Sequence, residues 1–212
     1  MILSGEIYLN CVILCGGKSS RMKANKALLP FGDYKLITYQ YIKLSKIFKK
    51  VFISIKDFQQ DSILSALQDD LSKYNLENPP IDVDSIDFIV EKSNIFAPIV
   101  GILNSFDVTN IDKLFFISCD CPLVKLKTFQ ILSNNSDDYD VTYAKDSTKT
   151  HPLVAVWSAK TKEKLKEAIE MNNFKIMELL EHFYTKSIYF DKLEFFNLNT
   201  KSDYKKALKL LE

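Results

Sequence analysis

Two adjacent glycines and a set of basic side chains follow the first apolar run of the chain, in the segment "LCGGKSSRMKANKALLPFG" (residues 14–32). Gly16 and Gly17 would let the backbone approach an anion, and their N–H groups can donate to phosphate oxygens. Arg21 is the only arginine of the chain, and its planar guanidinium suits phosphate. With Lys26 and the neighbouring lysines, these residues predict a phosphate-binding loop, the alternative being an ordinary solvated turn.

Two familiar phosphate motifs do not match this loop. The P-loop motif requires a glycine five residues before the Gly-Lys-Ser sequence, and Val12 stands there. The dinucleotide-binding pattern Gly-x-Gly-x-x-Gly also fails, because Gly16 and Gly17 are adjacent. The predicted anion binding therefore depends on glycines and cations arranged in a different pattern.

One acid, Asp120, lies two residues beyond the apolar run "KLFFIS" (residues 113–118). A carboxylate at the carboxyl end of a strand can ligate Mg²⁺ that bridges phosphates. The alternative is a turn or cap aspartate before Pro122. Asp120 is therefore our candidate metal ligand.

The four cysteines have the spacings CxxxC and CxC, which differ from the CxxC pairs of common zinc sites. All of them lie in or beside apolar runs, where cysteine usually packs as a small apolar residue. We therefore expect buried core positions rather than a metal site or a disulfide for Cys11, Cys15, Cys119 and Cys121.

The elements that must position these residues alternate along the chain. Short apolar runs predict strands at 7–15, 51–55, 87–90, 113–118, 140–144, 152–157 and 186–190. Amphipathic segments predict helices at 34–48, 61–74, 98–106, 159–171 and 174–183, with a last helix after the capping-box-like Thr200-x-x-Asp203. This alternation predicts an α/β fold with a mainly parallel sheet covered on both faces, whose carboxyl edge binds ligands.

Composition narrows the class of protein. The 212 residues suit one domain, and the net charge of +1 gives no global reason to expect a nucleic-acid or membrane partner. The start "MILSGEIYLN" lacks the basic and apolar regions of a signal peptide, and no apolar run reaches the ~18 residues of a membrane span. We expect a cytoplasmic protein.

The segment 14–32 resembles the signature "LAGGxSxRMGxDKALLxxxG" of the nucleotidyltransferases that make molybdenum cofactor dinucleotides, and it is most similar to that of the guanylyltransferases among them. Four later segments are similar to further motifs of this family, in the same order: "IFAPIVGIL" (95–103), "FFISCDCPLV" (115–124), "HPLVAVW" (151–157) and "FFNLNTKSDYKKA" (195–207). The resemblance implies a single nucleotidyltransferase domain over residues 1–212. Its implied fold is a Rossmann-like three-layer sandwich, with a mainly parallel, mixed central sheet flanked by helices.

The implied reaction is transfer of GMP from GTP to molybdopterin, with release of pyrophosphate. It would proceed by Mg²⁺-assisted in-line attack of the pterin's phosphate oxygen on the α-phosphate, which depends on positioning and charge neutralisation. The resemblance implies catalytic roles for Arg21, Lys26 and Asp120, with Asp120 as the Mg²⁺ ligand.

The resemblance also implies a nucleotide-binding set. This set combines the start of the first loop, one acid after the third predicted strand, and the lysine and aspartate named above. Its members are Leu14, Cys15, Gly16, Gly17, Lys26, Glu91 and Asp120. A carboxylate can accept from the N1–H and the amino group of guanine, which adenine does not offer. Alignment places Glu91 or Lys92 at that position; Glu91 is chemically suitable, and the alternative for it is a solvated surface acid. Backbone atoms of Leu14 and Gly16 would share the task.

The resemblance also implies that three residues lie on the side of the pocket that would receive the pterin, namely His151, Asn197 and Asn199. The alternative for His151 is a structural histidine near a strand start. The implied partners are GTP, molybdopterin and, by extension, molybdenum insertion factors or molybdoenzyme chaperones.

The chain departs from the family pattern at a few positions. Lys23 replaces a glycine, Asn25 replaces an aspartate, Ala97 replaces a glycine, and Val100 replaces an alanine. These changes leave two related activities open, which are transfer from CTP to molybdopterin and transfer from a nucleotide to a sugar phosphate. A non-catalytic nucleotide-binding regulator is the alternative from another class.

Overall fold

The computed structural model describes residues 7–17 and 25–211. The strands of this part are β1 (Ile7–Leu14), β2 (Pro30–Phe31), β3 (Tyr34–Lys35), β4 (Phe48–Lys56), β5 (Asp87–Glu91), β6 (Lys113–Ser118), β7 (Val141–Lys145), β8 (Thr150–Ser158) and β9 (Thr185–Tyr189). Its α-helices are α1 (Leu36–Ser45), α2 (Gln60–Tyr74), α3 (Pro98–Thr109), α4 (Leu126–Asn134), α5 (Lys162–Glu170), α6 (Ile176–Leu180) and α7 (Lys201–Lys209). None of these helices is long and apolar enough to traverse a bilayer.

Seven strands form one sheet in the order β5-β4-β1-β6-β8-β7-β9. Strand β8 runs antiparallel to both its neighbours, β6 and β7, and the remaining neighbouring pairs are parallel. The prediction of a mixed, mainly parallel sheet is confirmed. A separate hairpin joins β2 to β3 through Gly32, whose positive φ of 63° suits glycine.

Helices cover both faces of the sheet. Side chains along β1 alternate between these two faces, so successive residues pack against different helices. Cys11 and Ile13 belong to a core cluster that includes buried residues of α1, α2, α4 and α7. Val12 points to the other face, where it joins a cluster with buried residues of α3, α5 and α6. The three-layer arrangement is confirmed, and all four cysteines are buried and free.

Helices α4, α1 and α6 differ from the sequence predictions. Helix α4 is missed by the local pattern because its N-terminus is capped by a distant side chain: the Glu194 carboxylate accepts from the Lys125 N–H and the Thr128 hydroxyl. The segment predicted as a helix from residue 34 first forms β3, and α1 begins at Leu36. The helix predicted over 174–183 is shortened to α6, because i→i+3 hydrogen bonds of Glu181 N–H and His182 N–H end it in a tight turn.

Candidate active site

The carboxyl ends of the two central strands bring the predicted loop and the predicted metal ligand together. Leu14 ends β1, Ser118 ends β6, and the two residues are paired in the parallel register. The Cys119 N–H donates to the Leu14 carbonyl over 3.1 Å, so the chain leaves both strands side by side. Gly17 and Asp120 consequently line one cavity of about 160 Å³.

Lys26 lines the same cavity and contacts side chains from two distant parts of the chain. Its Nζ lies 3.1 Å from Oδ2 of Asp120 and 3.0 Å from Oδ1 of Asn199. The Lys26 and Asp120 side chains are 17% and 21% exposed, so a ligand can reach both. Ser118 donates its hydroxyl to Oδ1 of Asp120 over 2.6 Å, which fixes the carboxylate against the sheet.

Local hydrogen bonds place Lys26 in this position. A short 3₁₀ turn over Lys26–Leu28 carries it, and the Asn25 side-chain oxygen caps that turn by accepting from the Ala27 N–H over 3.1 Å. Asn25 stands where the family motif has aspartate, and an amide oxygen can make the same cap. This departure therefore preserves the local geometry of the lysine.

Asn199 reaches the site from the far end of the chain. The Leu198 N–H donates to the Asp120 carbonyl over 2.9 Å, which fixes the segment beside the metal candidate. Thr200 then caps α7 in a capping box with Asp203, as the sequence predicted. Asn199 is held between these two anchors.

A second, narrower cavity of about 90 Å³ adjoins the first. Its lining combines apolar residues, three glycines, a serine and one carboxylate, namely Leu14, Gly16, Gly17, Glu91, Phe96, Ala97, Pro98, Gly101, Ser118 and Leu153. Leu14, Gly17 and Ser118 line both cavities. An elongated ligand can therefore extend from one into the other.

Glu91 is buried at the base of this second cavity, with 5% of its surface exposed, so the alternative of a solvated surface acid is wrong. Its Oε2 lies 2.7 Å from Lys56 Nζ, and its Oε1 accepts from the Ser54 hydroxyl over 2.9 Å. A Cβ atom on Gly16 or Gly101 would lie only 3.0 or 2.9 Å from Oε1. The two glycines thus make room for this carboxylate, whereas Lys92 is exposed.

Lys56 also shapes the loop above the cavity. Beyond Glu91, its ammonium donates to the carbonyls of Ser93 and Ile95 over 2.9 and 2.7 Å. These three acceptors match the three protons of the ammonium group. Lys56 was not among the residues predicted for the site, although a lysine at the end of the apolar strand β4 was a usable signal.

The cysteines beside the cavity are expected to be unreactive. Burial raises the pKa of the Cys15 thiol well above its usual range, and the neighbouring Cys119 raises it further. A thiol that stays protonated is a poor nucleophile and a poor metal ligand. The interpretation of the cysteines as packing residues agrees with this environment.

A third cavity, of about 470 Å³, contains the residues predicted for the pterin side. His151, Asn197 and Asn199 line it together with Asp146, Thr148, Lys149, Thr150, Lys192, Leu193, Phe195, Phe196 and Asp203. Because Asn199 also bonds to Lys26, this cavity meets the Lys26–Asp120 cavity at one side chain. His151 lies at the start of β8 and is hydrogen-bonded there, which agrees with the alternative of a structural histidine. It also lines this cavity, as the functional prediction requires.

Asp146, which the sequence analysis missed, is the partner of His151. Their closest atoms, Oδ2 and Nε2, are 2.8 Å apart. Burial alone would raise the pKa of the Asp146 carboxyl, but hydrogen bonds from His151, Thr148 and Lys149 outweigh it and hold that pKa well below its usual range. Asp146 is therefore an anion over the whole neutral range.

The remaining predicted residue, Arg21, lies outside the described residues, as do the lysines at 18 and 23. The structure thus brings together Leu14, Cys15, Gly17, Lys26 and Asp120 in the first cavity, Gly16 and Glu91 in the second, and His151, Asn197 and Asn199 in the third. These cavities adjoin one another near the carboxyl ends of β1 and β6, where ligands bind in α/β folds, and a lysine and a carboxylate line the first of them.

Comparison with known proteins gives the family. The chain belongs to the MobA-like NTP transferase domain family, whose model matches residues 11–185. A molybdenum cofactor guanylyltransferase of Helicobacter pylori (strain G27) is 36% identical over 210 residues, covering 95% of this chain and 92% of that protein. One of Campylobacter jejuni (strain RM1221) is 31% identical over 203 residues, covering 93% and 94%. These findings confirm the family predicted from the sequence motifs.

Solved structures show the same fold. The molybdopterin-guanine dinucleotide biosynthesis protein A of Archaeoglobus fulgidus superposes with a TM-score of 0.75 at 22% identity, covering 96% of this chain and 98% of that one. The family model and the guanylyltransferase relatives show that the protein is an enzyme of the nucleotidyltransferase class, and they do not support the regulator alternative.

Proposed function

We propose that this enzyme transfers GMP from GTP to molybdopterin, forming molybdopterin guanine dinucleotide and releasing pyrophosphate. The names of the relatives at 36% and 31% identity support this substrate pair. The single observation that carries the proposal is the contact of Lys26 with Asp120 and Asn199, because it joins the two smaller cavities to a larger third one.

The donor would bind with its triphosphate at the ends of β1 and β6. The N–H groups of Gly16 and Gly17 would donate to phosphate oxygens, and Lys26 would neutralise their charge. Arg21 is proposed for the same role from the family motif. An oxygen of the acceptor's phosphate attacks the α-phosphorus, a new P–O bond forms, and the bond to the pyrophosphate oxygen breaks.

A divalent cation fits the donor set of this site. Asp120, Asn199 and Ser118 offer hard oxygen atoms, which Mg²⁺ prefers. Among the described residues no group of three or more His, Cys, Asp or Glu side chains could hold a metal ion. This agrees with Mg²⁺, which commonly binds through one or two carboxylates plus substrate phosphates. Asp120 would hold the ion, whose charge would lower the repulsion between the acceptor and the triphosphate.

The nucleobase would enter the narrow cavity beside Glu91. Ser54 and Lys56 each occupy one lone pair of the carboxylate, which leaves further acceptor positions on both oxygens. Guanine presents N–H groups on the edge that a carboxylate can bind, and the Leu14 and Gly16 backbone would contribute the remaining contacts.

The acceptor would occupy the third cavity, where Leu193 and Phe196 offer apolar surface and Asn197 and Asn199 offer amides. The acceptor's phosphate would lie toward Asn199, since that side chain borders the Lys26 site. Cytoplasmic location, one domain over residues 1–212, and contact with insertion factors or molybdoenzyme chaperones stay predictions.

A nucleotide panel tests this function. Pyrophosphate release is measured with GTP, CTP, ATP and UTP, each with molybdopterin, with a sugar phosphate and with no acceptor. The proposal expects release only with GTP and molybdopterin, together with a product of the mass of the guanine dinucleotide. A preference for CTP would assign the enzyme to the cytidylyl reaction, and a preference for a sugar phosphate would remove molybdopterin as the acceptor.

A further inference from the structure

We propose that Asp146 is a positioning residue that holds His151 as a phosphate-binding group in the third cavity, with Lys149 and Lys192 supplying positive charge beside it. The ligand class is a phosphate monoester. The inference rests on the proposed function, because it assigns this site to the phosphate end of the acceptor.

The Asp146 carboxylate is completely enclosed by donors. Its Oδ2 faces Nε2 of His151 at 2.8 Å, and its Oδ1 accepts from the Thr148 hydroxyl and the Lys149 N–H, both over 2.8 Å. The Asp146 N–H donates to the Lys149 carbonyl over 2.9 Å and closes the turn between β7 and β8. The side chain is 2% exposed, so it acts on the cavity through His151 rather than by contact with ligand.

The His151 ring is held from two directions. Asp146 fixes one edge, and Phe195 stacks on one face with ring centroids 4.3 Å apart and an interplanar angle of 19°. Phe195 is itself buried, so this support is rigid. Because Nε2–H is donated to the carboxylate, Nδ1 is the ring nitrogen left for a ligand, and it can donate to a phosphate oxygen only when the ring is a doubly protonated imidazolium.

His151 also lies at the reacting edge of the sheet. The antiparallel ladder of β6 and β8 ends at the pair Ile117 and Val154. Asp120 is three residues beyond Ile117, and His151 is three residues before Val154. Because β6 and β8 are antiparallel, the two residues lie at the same end of these adjacent strands. His151 is thus on the side of the sheet where Asp120, the candidate metal ligand, lies.

The charge of the cavity suits an anion. Its lining includes two acids and two lysines; donors of the protein enclose the Asp146 carboxylate as described above, and Oδ2 of Asp203 accepts from the Thr200 N–H and hydroxyl. Lys149 and Lys192 are exposed at the rim. A dianionic phosphate monoester, which needs donors and positive charge, matches this lining. It attacks with its own lone pair, so His151 orients it and no proton has to move.

Direct binding tests the inference without catalysis. Inorganic phosphate is titrated into the protein while the side-chain ¹⁵N signals of its two histidines are followed by NMR. We expect saturable shifts at His151 and none at His182, which lies beyond α6 and serves as an internal control. Asp146→Asn should raise the phosphate Kd about tenfold, since it weakens one positioned charged contact, and Asp138→Asn, an exposed control, should leave it unchanged. Absence of a His151 shift in the wild-type protein overturns the inference.

Steady-state kinetics provides the second arm. Asp146→Asn and His151→Gln should each raise the KM for molybdopterin about tenfold with the KM for GTP unchanged, and the double variant should resemble either single one. The His151→Gln variant decides the matter if Asp146→Asn does not fold. Wild-type acceptor kinetics in His151→Gln would overturn the inference. Failure of the wild-type enzyme to use molybdopterin, with phosphate still bound at His151, would refute the proposed function alone.

Discussion

The Nζ of Lys26 lies 3.0 Å from Oδ1 of Asn199, although 173 positions separate the two residues along the chain. The same ammonium contacts Asp120. One side chain thus joins the first loop, the end of β6 and the entrance to α7. The cavities proposed for the nucleotide donor and for the acceptor therefore meet at the Lys26 ammonium.

Replacement of Lys26 tests that charge. Lys26→Met should lower kcat by about 10² to 10³, a loss typical for removal of one group that stabilises developing charge. Lys164→Met is the control, because Lys164 forms an exposed pair with Glu167 on α5. Turnover of both variants under saturating GTP checks the prediction, and a less than threefold loss in Lys26→Met would contradict it.

Asp120→Asn tests the metal assignment, because it keeps the shape of the side chain and removes its charge. We expect the Mg²⁺ concentration for half-maximal activity to rise at least about tenfold, since carboxylates are the principal protein ligands of Mg²⁺. Titration of activity with Mg²⁺ provides the measurement, with the exposed Asp137→Asn as control. An unchanged Mg²⁺ requirement would remove Asp120 as the ligand.

The glycines of the base cavity allow a steric test. An alanine Cβ at Gly101 would lie 2.9 Å from Glu91 Oε1 and 3.1 Å from Leu14 Cδ2, whereas one at Gly17 would meet nothing within 4 Å. Gly101→Ala should therefore destabilise the fold by about 1–3 kcal/mol, as overpacking does, and raise the KM for GTP. Gly17→Ala should keep the wild-type Tm. Equal Tm values for the two variants would contradict the close contact.

The core of this site could be predicted from sequence. Parallel strands carry their carboxyl ends to one edge, so the glycine loop after β1 and Asp120 after β6 had to meet once the strands were recognised. Asn199 followed only from the resemblance, because nothing local to it indicates a contact 173 residues away.

Other residues could not be predicted because their roles depend on distant partners. Glu194 caps α4 from about 70 residues further along the chain, so the helix has no local start signal. Lys56 looks like a strand-end surface lysine until β5 places Glu91 beside it. Asp146 lies in a polar turn whose pattern suggests solvent exposure, and only the stacking of His151 on Phe195 reveals a built site.

Loss of the buried pair Lys56–Glu91 should lower the free energy of unfolding more than loss of an exposed pair. Their side chains are 3% and 4% exposed, so Lys56→Met leaves a buried carboxylate without its partner, at a cost of about 3–5 kcal/mol. Lys50→Met is the matched control on the same strand, since Lys50 pairs with Asp87 at the surface and should contribute at most about 1 kcal/mol. Urea unfolding of both variants provides the comparison; similar losses would contradict the assignment.

Lys43 should make stability depend on pH. Its ammonium donates to the carbonyls of Pro122 and Val124 just beyond Asp120, and burial lowers its pKa to about 8, against opposing effects of Cys121 and Glu194. In the unfolded chain the pKa of Lys43 is near 10.5. Between pH 8 and 10.5 Lys43 therefore binds more protons in the unfolded chain than in the folded one, so its contribution to stability rises with pH over that range.

The difference in unfolding free energy between wild type and Lys43→Met should accordingly grow in favour of wild type by up to about 3 kcal/mol over that range, since one pKa unit corresponds to about 1.4 kcal/mol. Chemical denaturation at pH 7.5, 9 and 10.5 measures it. The exposed Lys49→Met variant should show no such trend. A flat difference for Lys43→Met would mean that the ammonium is not desolvated.

A crystal structure with a non-hydrolysable GTP analogue and Mg²⁺ tests the central claim most directly. The α-phosphate should lie within hydrogen-bonding or ion-pair distance of Lys26, with the Mg²⁺ on Asp120, the guanine beside Glu91, and the cavity of His151 open toward the α-phosphorus. A triphosphate bound away from the ends of β1 and β6, or an α-phosphorus shielded from the His151 cavity, would contradict the account.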